Sequence, residues 1–290
     1  MRLSAVDIGS NAVRFLFVEV INGKKQPVFK KLSLLRLPIR LGEDVFVHDK
    51  ISSKKQQQLV EAFSAYNHLL QVFEVKKFRI CATSAMREAT NGKETARLVK
   101  QKTGLEIEII DGNNEATLIY DTHVAEIFGK NDTFLYVDVG GGSTELTLFV
   151  KGEMKISRSF KIGTIRLKND LVSHHTWGEM ESWIKKNIKP EKPKATIGTG
   201  GNINKIYKML DGKNYAPVSY AKIKNLKEEL EEYTFEERVR ELGLKPDRAD
   251  VIIPAAKIYL SVMKWAGVKE MLVPKVGLAD GIIHELYYSK

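Results

Sequence analysis

Two short stretches of this sequence carry the residue types from which a phosphate site can be assembled. The longer is Asp138-Val139-Gly140-Gly141-Gly142-Ser143-Thr144-Glu145, set between apolar runs at 134–137 and 146–150. Glycines there would let an anion reach the main-chain N–H groups closely. Ser143 and Thr144 add hydroxyl donors, while Asp138 and Glu145 are carboxylates, the hard oxygen ligands that Mg²⁺ prefers. Read alone, the same residues also describe a glycine-rich hairpin turn. A second stretch, Asp7-Ile8-Gly9-Ser10-Asn11, repeats the arrangement between strand-like runs at 3–6 and 13–20. Two strand–Asp-x-Gly–strand hairpins, one in each half, predict a duplicated architecture with two phosphate loops facing each other across a cleft.

Further segments could supply charge and a base. Thr83-Ser84-Ala85-Met86-Arg87-Glu88-Ala89 leads from an expected strand at 77–82 into a helix start. Helix N-termini and arginines both suit phosphate oxygens, although a capping hydroxyl beside a surface arginine reads equally well. Glu115 lies in the first turn of an expected helix with Ala116, Ile119, His123 and Ile127 on one face. It either complements the helix dipole or orients and deprotonates an attacking water. Gly198-Thr199-Gly200-Gly201-Asn202 is a third glycine loop, opening a helix at Ile203; it suits a nucleotide, a phosphate or simply a close strand–helix turn. Gly163-Thr164-Ile165-Arg166-Leu167 reads as a turn whose arginine could point at the cleft, and His174 and His175 fall in a polar connection.

The elements that must position these groups alternate between strands and helices. A third strand is expected near 27–35 after the Asn22-Gly23 turn, then an irregular stretch at 37–47 with Pro38 and Gly42. Ser52 or Ser53 can cap a helix reaching Phe73, and a helix at 93–102 stops at Gly104 before a strand at 105–110. Later strands run through 152–161 and 270–273; 190–194 is a loop, and helices are expected near 222–232, 234–242, 248–265 and from 279. At 290 residues and 43% hydrophobic content, two domains are expected, 1–125 and 126–290, with the last helix packing back on the first. The net charge of +10 (46 basic, 36 acidic) favours an anionic partner. Its basic residues are dispersed as pairs such as Lys24-Lys25 and Lys54-Lys55, without an arginine-rich arm or nucleic-acid motif. The single cysteine, Cys81, excludes an intrachain disulfide and a cysteine-built zinc site and reads as a core residue. No signal-like segment opens the chain and no apolar run spans a bilayer, so a soluble cytoplasmic protein without membrane partner is expected.

Asp7 to Asn11 with Arg14, Ala82 to Arg87 with Ala89 and Asn91, Glu115-Ala116, Asp138 to Glu145, and Gly198 to Gly201 stand in an order that resembles the exopolyphosphatase/guanosine pentaphosphate phosphatase (Ppx/GppA) family over nearly the whole chain. The resemblance implies an α/β protein of two ribonuclease-H-like domains, of the actin/Hsp70/sugar-kinase superfamily, with an interdomain cleft. It implies Mg²⁺-dependent removal of a terminal phosphate from polyphosphate or guanosine pentaphosphate, and a homodimer. By the same resemblance Glu115 orients the water, and Arg87 and Arg14 neutralise charge on the transferred group. Asp138, Glu145 and Asp7 are linked to the metal. Gly9, Ser10, Asn11, Gly141, Gly142, Ser143, Thr144, Gly200 and Gly201 bind phosphate. The chain departs from common family residues at Ala12, Asn114 and Ala279, and Asn114 adjoins the expected base. It resembles the short members, which lack a C-terminal helical extension, so low processivity on long polyphosphate is expected. An actin-like or sugar-kinase-like ATP user and a non-catalytic polyphosphate or nucleotide sensor are the rival readings.

Overall fold

The computed structural model describes residues 1–23, 26–120, 132–213 and 215–289, without the side chains at 113, 116, 119 and 120. The helical face expected at Ala116, Ile119, His123 and Ile127, the 125/126 boundary and the Lys24-Lys25 pair lie outside the described residues and side chains. The chain divides into two compact units, Met1–Thr122 joined by Leu278–Lys290, and His123–Gly277.

In the first unit, β1 (Arg2–Ile8), β2 (Val13–Ile21), β3 (Val28–Leu37), β4 (Lys77–Ala82) and β5 (Glu108–Ile109) form one sheet in the order β3-β2-β1-β4-β5. The first three strands are antiparallel, while β4 runs parallel to β1 and β5 parallel to β4. Strand side chains alternate between faces, and here both faces are covered. Leu3 and Ala5 of β1 and Leu16, Val18 and Val20 of β2 share a core with Leu278, Ala279, Ile282 and Ile283 of the final helix, Leu278–Tyr288. On the other face, Phe15 and Phe17 of β2 meet Phe63 and Tyr66 of the Ser53–Val72 helix and its capping residue Phe73.

The second unit repeats the plan. β6 (Thr133–Val139), β7 (Thr144–Val150) and β8 (Glu153–Phe160) are antiparallel; β9 (Ala195–Thr199) runs parallel to β6 and β11 (Glu270–Leu272) parallel to β9. β10 (Val218–Ser219) adds an antiparallel edge, giving β10-β11-β9-β6-β7-β8. The Ile252–Ala266 helix places Ala255, Tyr259, Val262 and Ala266, spaced by one turn, in the core that includes Leu135, Val137, Leu146 and Leu148. Two sheets, each with a three-stranded antiparallel meander continued by two parallel strands, make a duplicated ribonuclease-H-like arrangement.

Several local expectations need correction. The 37–47 stretch is not irregular throughout: Leu41–His48 is a helix, and Gly42 sits in its first turn, where its N–H has no intrahelical partner and donates instead to Ser10 O at 2.8 Å. The 163–167 turn is the start of a short helix, Thr164–Lys168. His174 and His175 open a helix, His174–Asn187, capped by Ser173 and buried through Met180, Trp183 and Ile184. Its polar N-terminal half hides that stripe from a periodicity scan. The 105–110 strand shrinks to two residues, and β10 had no sequence signal. Among the described residues no helix is long and apolar enough to cross a membrane.

Cys81 lies fully buried beside the β1 core, and burial pushes its thiol up to about 12. The thiolate is the reactive form, so at pH 8 roughly one thiol in 10⁴ is ionised in the folded state. Native protein is therefore expected to resist a thiol-modifying reagent between pH 7 and 9 and to react once unfolded in urea. Rapid native-state labelling with an inflection near pH 8.5 would contradict this placement.

Candidate active site

In the first unit the candidate residues cluster around the C-terminal ends of the parallel strands β1, β4 and β5, where open α/β sheets gather ligand-binding groups. Asp7 stands opposite Arg14 in the β1–β2 register, and the pairing brings Arg14 Nη1 onto Asp7 Oδ2. Asp7, Gly9, Ser10 and Asn11 thus sit on one hairpin, closed by Gly9 N–H donating to Ala12 O at 3.1 Å. Ser10 Oγ lies 2.8 Å from Ser84 Oγ, so the turn after β1 and the helix after β4, Ser84–Glu88, are tied directly. Arg87, on that helix, donates from Nη1 to Ile110 O at 2.8 Å, at the end of β5. Glu115 follows in the first turn of the Gly112–Tyr120 helix and is half-buried. Asp111 caps this turn: its carboxylate accepts from Asn114 N–H at 2.8 Å, and its carbonyl from Glu115 N–H at 3.1 Å.

In the second unit Asp138 and Glu145 are register partners on β6 and β7, flanking the 140–143 turn. Glu145 is nearly buried, and its Oε1 accepts from Ser143 Oγ at 2.6 Å and from Ser159 Oγ at 2.9 Å. Thr144 Oγ1 donates to Ile162 O at 2.5 Å. The hydroxyls of Ser143 and Thr144 are therefore engaged inside the unit, as that of Ser10 is in the first unit.

The turn's carbonyls are held on one side. Gly140 O accepts from Thr164 N–H at 3.0 Å, Gly141 O from Ile165 N–H at 2.9 Å, and Gly142 O from Arg166 Nε at 2.9 Å. Such closeness needs a glycine at 163, since a Cβ there would land on the backbone of Gly141. Gly140 N–H closes the turn onto Ser143 O at 2.9 Å. The N–H groups of Gly141, Gly142 and Ser143 meet no acceptor among the described residues. Successive N–H groups left pointing together form an anion-binding concavity.

The third glycine loop borders the same carboxylate. Gly200 adopts φ +94°, and a Cβ on it would stand 2.7 Å from Asp138 Oδ1, so both backbone and space demand glycine. Gly201 begins the Gly201–Met209 helix, and its carbonyl accepts from Arg248 Nη1. Tyr259 Oη donates to Thr199 O at 2.9 Å; burial, and then the charge of Asp138, hold this phenol well above its ordinary pKa.

Among the described residues no group of three or more His, Cys, Asp or Glu side chains is arranged as a metal cage. The Asp138–Glu145 pair nonetheless suits Mg²⁺ chemically, because Mg²⁺ is commonly held by one or two carboxylates, waters and substrate phosphate. Ser159 and Tyr259 escaped sequence reasoning as parts of this site, whereas Gly163 and Arg166 fall in the turn expected to aim an arginine at it. For Ser159 the signal was its place opposite Glu145 in the β7–β8 register, which needs the pairing to be known.

The Ppx/GppA phosphatase family model matches residues 19–289. A guanosine-5'-triphosphate,3'-diphosphate pyrophosphatase of Aliivibrio fischeri is 26% identical over 304 aligned residues, covering 99% of this chain and 60% of that relative. Its counterpart in Vibrio cholerae is 26% identical over 302, covering 98% and 59%. The chain thus spans about three-fifths of the length of these curated relatives. Among solved structures, an exopolyphosphatase from Cytophaga hutchinsonii superposes with a TM-score of 0.83 at 22% identity, covering 99% of this chain and 97% of the other. A Ppx/GppA family member from Aquifex aeolicus gives 0.78 at 22%, with the same coverage. The family match runs through both sheets and through four of the five segments that carry the resemblance, and the chain belongs to the Ppx/GppA phosphatase family.

Proposed function

We propose that this chain is a phosphohydrolase that removes the terminal phosphate of inorganic polyphosphate, with guanosine pentaphosphate as the alternative substrate. The observation that carries the reading is the 140–143 turn, with three fixed carbonyls and three N–H groups that meet no acceptor among the described residues. Those N–H groups receive oxygens of the terminal phosphate. Family membership supports the reading, as do the names of relatives, one a guanosine polyphosphate pyrophosphatase and another an exopolyphosphatase. Both names refer to phosphoanhydride cleavage.

Glu115 orients the attacking water and takes its proton as the new P–O bond forms. The bridging P–O bond breaks with its electron pair passing to the shortened chain, and orthophosphate leaves. A weak base suffices, because phosphoryl transfer depends mostly on positioning and charge stabilisation. Arg87, oriented by its bond to Ile110 O, and Arg14, oriented by Asp7, counter the charge on the transferred group. Asp138 and Glu145 would hold Mg²⁺, which when bound neutralises charge on phosphate oxygens. Two carboxylates directly opposite one another repel. The hydroxyls of Ser143 and Ser159 ease this at Glu145, and a divalent cation would ease it further.

The test is phosphate release with Mg²⁺ from short polyphosphate, long polyphosphate, guanosine pentaphosphate and ATP. Release from the first or third is expected. Silence on all four, with binding retained, would favour a sensor. Glu115→Gln is expected to lower kcat by about 10²–10⁴ with an unchanged unfolding midpoint; wild-type turnover in this variant would remove Glu115 from its role. Excess EDTA should abolish release and added Mg²⁺ restore it, whereas full activity in EDTA would end the metal assignment.

A further inference from the structure

Arg166 stands outside every role assigned above, yet its side chain reaches the one loop carbonyl that no main-chain group holds. In a trans peptide the carbonyl of one residue and the N–H of the next lie in a plane and point in opposite directions. Fixing the carbonyls of Gly140, Gly141 and Gly142 therefore fixes the N–H groups of Gly141, Gly142 and Ser143 on the opposite side. The first two carbonyls are held by the main chain of Thr164 and Ile165. The third is held at 2.9 Å by Arg166 Nε, with a weaker main-chain contribution reaching only Gly141. The orientation of the Gly142–Ser143 peptide is thus the part of the loop that depends on a side chain.

We propose that Arg166 is a positioning residue for the anion-binding turn, acting through Gly142 O to aim the Ser143 N–H at the bound phosphate. It deepens the phosphohydrolase reading and rests on it, but it is tested through binding as well as turnover. The planar guanidinium presents Nε–H in a fixed direction, half-buried against the loop, which the flexible ammonium of a lysine does not reproduce. The role proposed for it is the direction of that bond to Gly142 O.

The experiment compares wild type with Arg166→Met, which removes donor and charge, and Arg166→Lys, which keeps the charge. Inorganic pyrophosphate is titrated while the amide resonances of Gly141, Gly142 and Ser143 are followed, and kcat and KM are measured on the best substrate. All three wild-type amides are expected to shift on titration. In both variants the ligand-free Ser143 resonance should move while those of Gly141 and Gly142 stay, with pyrophosphate binding about tenfold weaker. kcat should fall about tenfold or more, and the unfolding midpoint should hold. Wild-type binding in Arg166→Met, full recovery in Arg166→Lys, wild-type amides that ignore pyrophosphate, or variants that fail to fold would each overturn the proposal. Responsive amides in a wild-type protein that releases no phosphate would instead sink the hydrolase reading and leave this one standing.

Discussion

Three carbonyls held on one side of a four-residue turn are the constraint on which the second unit's site depends. The β6–β7 ladder runs up to Val139 and Thr144, so it delivers the turn with no slack at either end. Thr144 is anchored by its hydroxyl to Ile162 O, and the chain beyond Ile162 comes back against the turn because residue 163 has no side chain. Rotating any peptide of the turn would break a bond to Thr164, Ile165 or Arg166, or open the closure from Gly140 to Ser143. Each neutral bond contributes only about 1 kcal/mol net. Acting on adjacent peptides they leave one low-energy arrangement, which is how a glycine-rich segment can be stiff despite its composition.

The first unit builds the same hairpin with other chemistry. Asp7 and Arg14 occupy the register positions of Asp138 and Glu145, and the closure from Gly9 to Ala12 matches that from Gly140 to Ser143. Across the first pair the charges are opposite and meet; across the second they are alike, with hydroxyl donors on one carboxylate. One backbone plan thus yields an ion pair at one copy and an oxygen-rich carboxylate pair at the other. The two copies share the backbone geometry and differ in the charge of one cross-strand residue, Arg14 against Glu145.

The hairpins were legible because strand–Asp-x-Gly–strand reads from local pattern alone, and so was the helix stopping at Gly104, which takes the left-handed conformation that suits glycine. What local pattern did not carry is the braces. Ser84 holds Ser10 from 74 positions away, Arg166 holds Gly142 from 24, and Ser159 reaches Glu145 from 14. Each becomes visible only when strand order and register place distant residues side by side. The Leu41–His48 helix was missed for a related reason: Pro38 and Gly42 mark its approach and first turn, and in isolation they look like a loop.

The hydroxyls that looked like phosphate donors teach more. Ser10, Ser143 and Thr144 all spend their side chains inside the protein, on Ser84, Glu145 and Ile162. The groups left to face an anion at the 140–143 turn are main-chain N–H groups, whose direction is set by the peptides and which do not titrate. Such donors recognise the oxygens of a phosphate and are indifferent to what the phosphate is attached to. In the proposed reading the turn therefore serves any terminal phosphate equally. Discrimination between a polyphosphate chain and a guanosine polyphosphate falls to side chains that contact the substrate beyond its last anhydride.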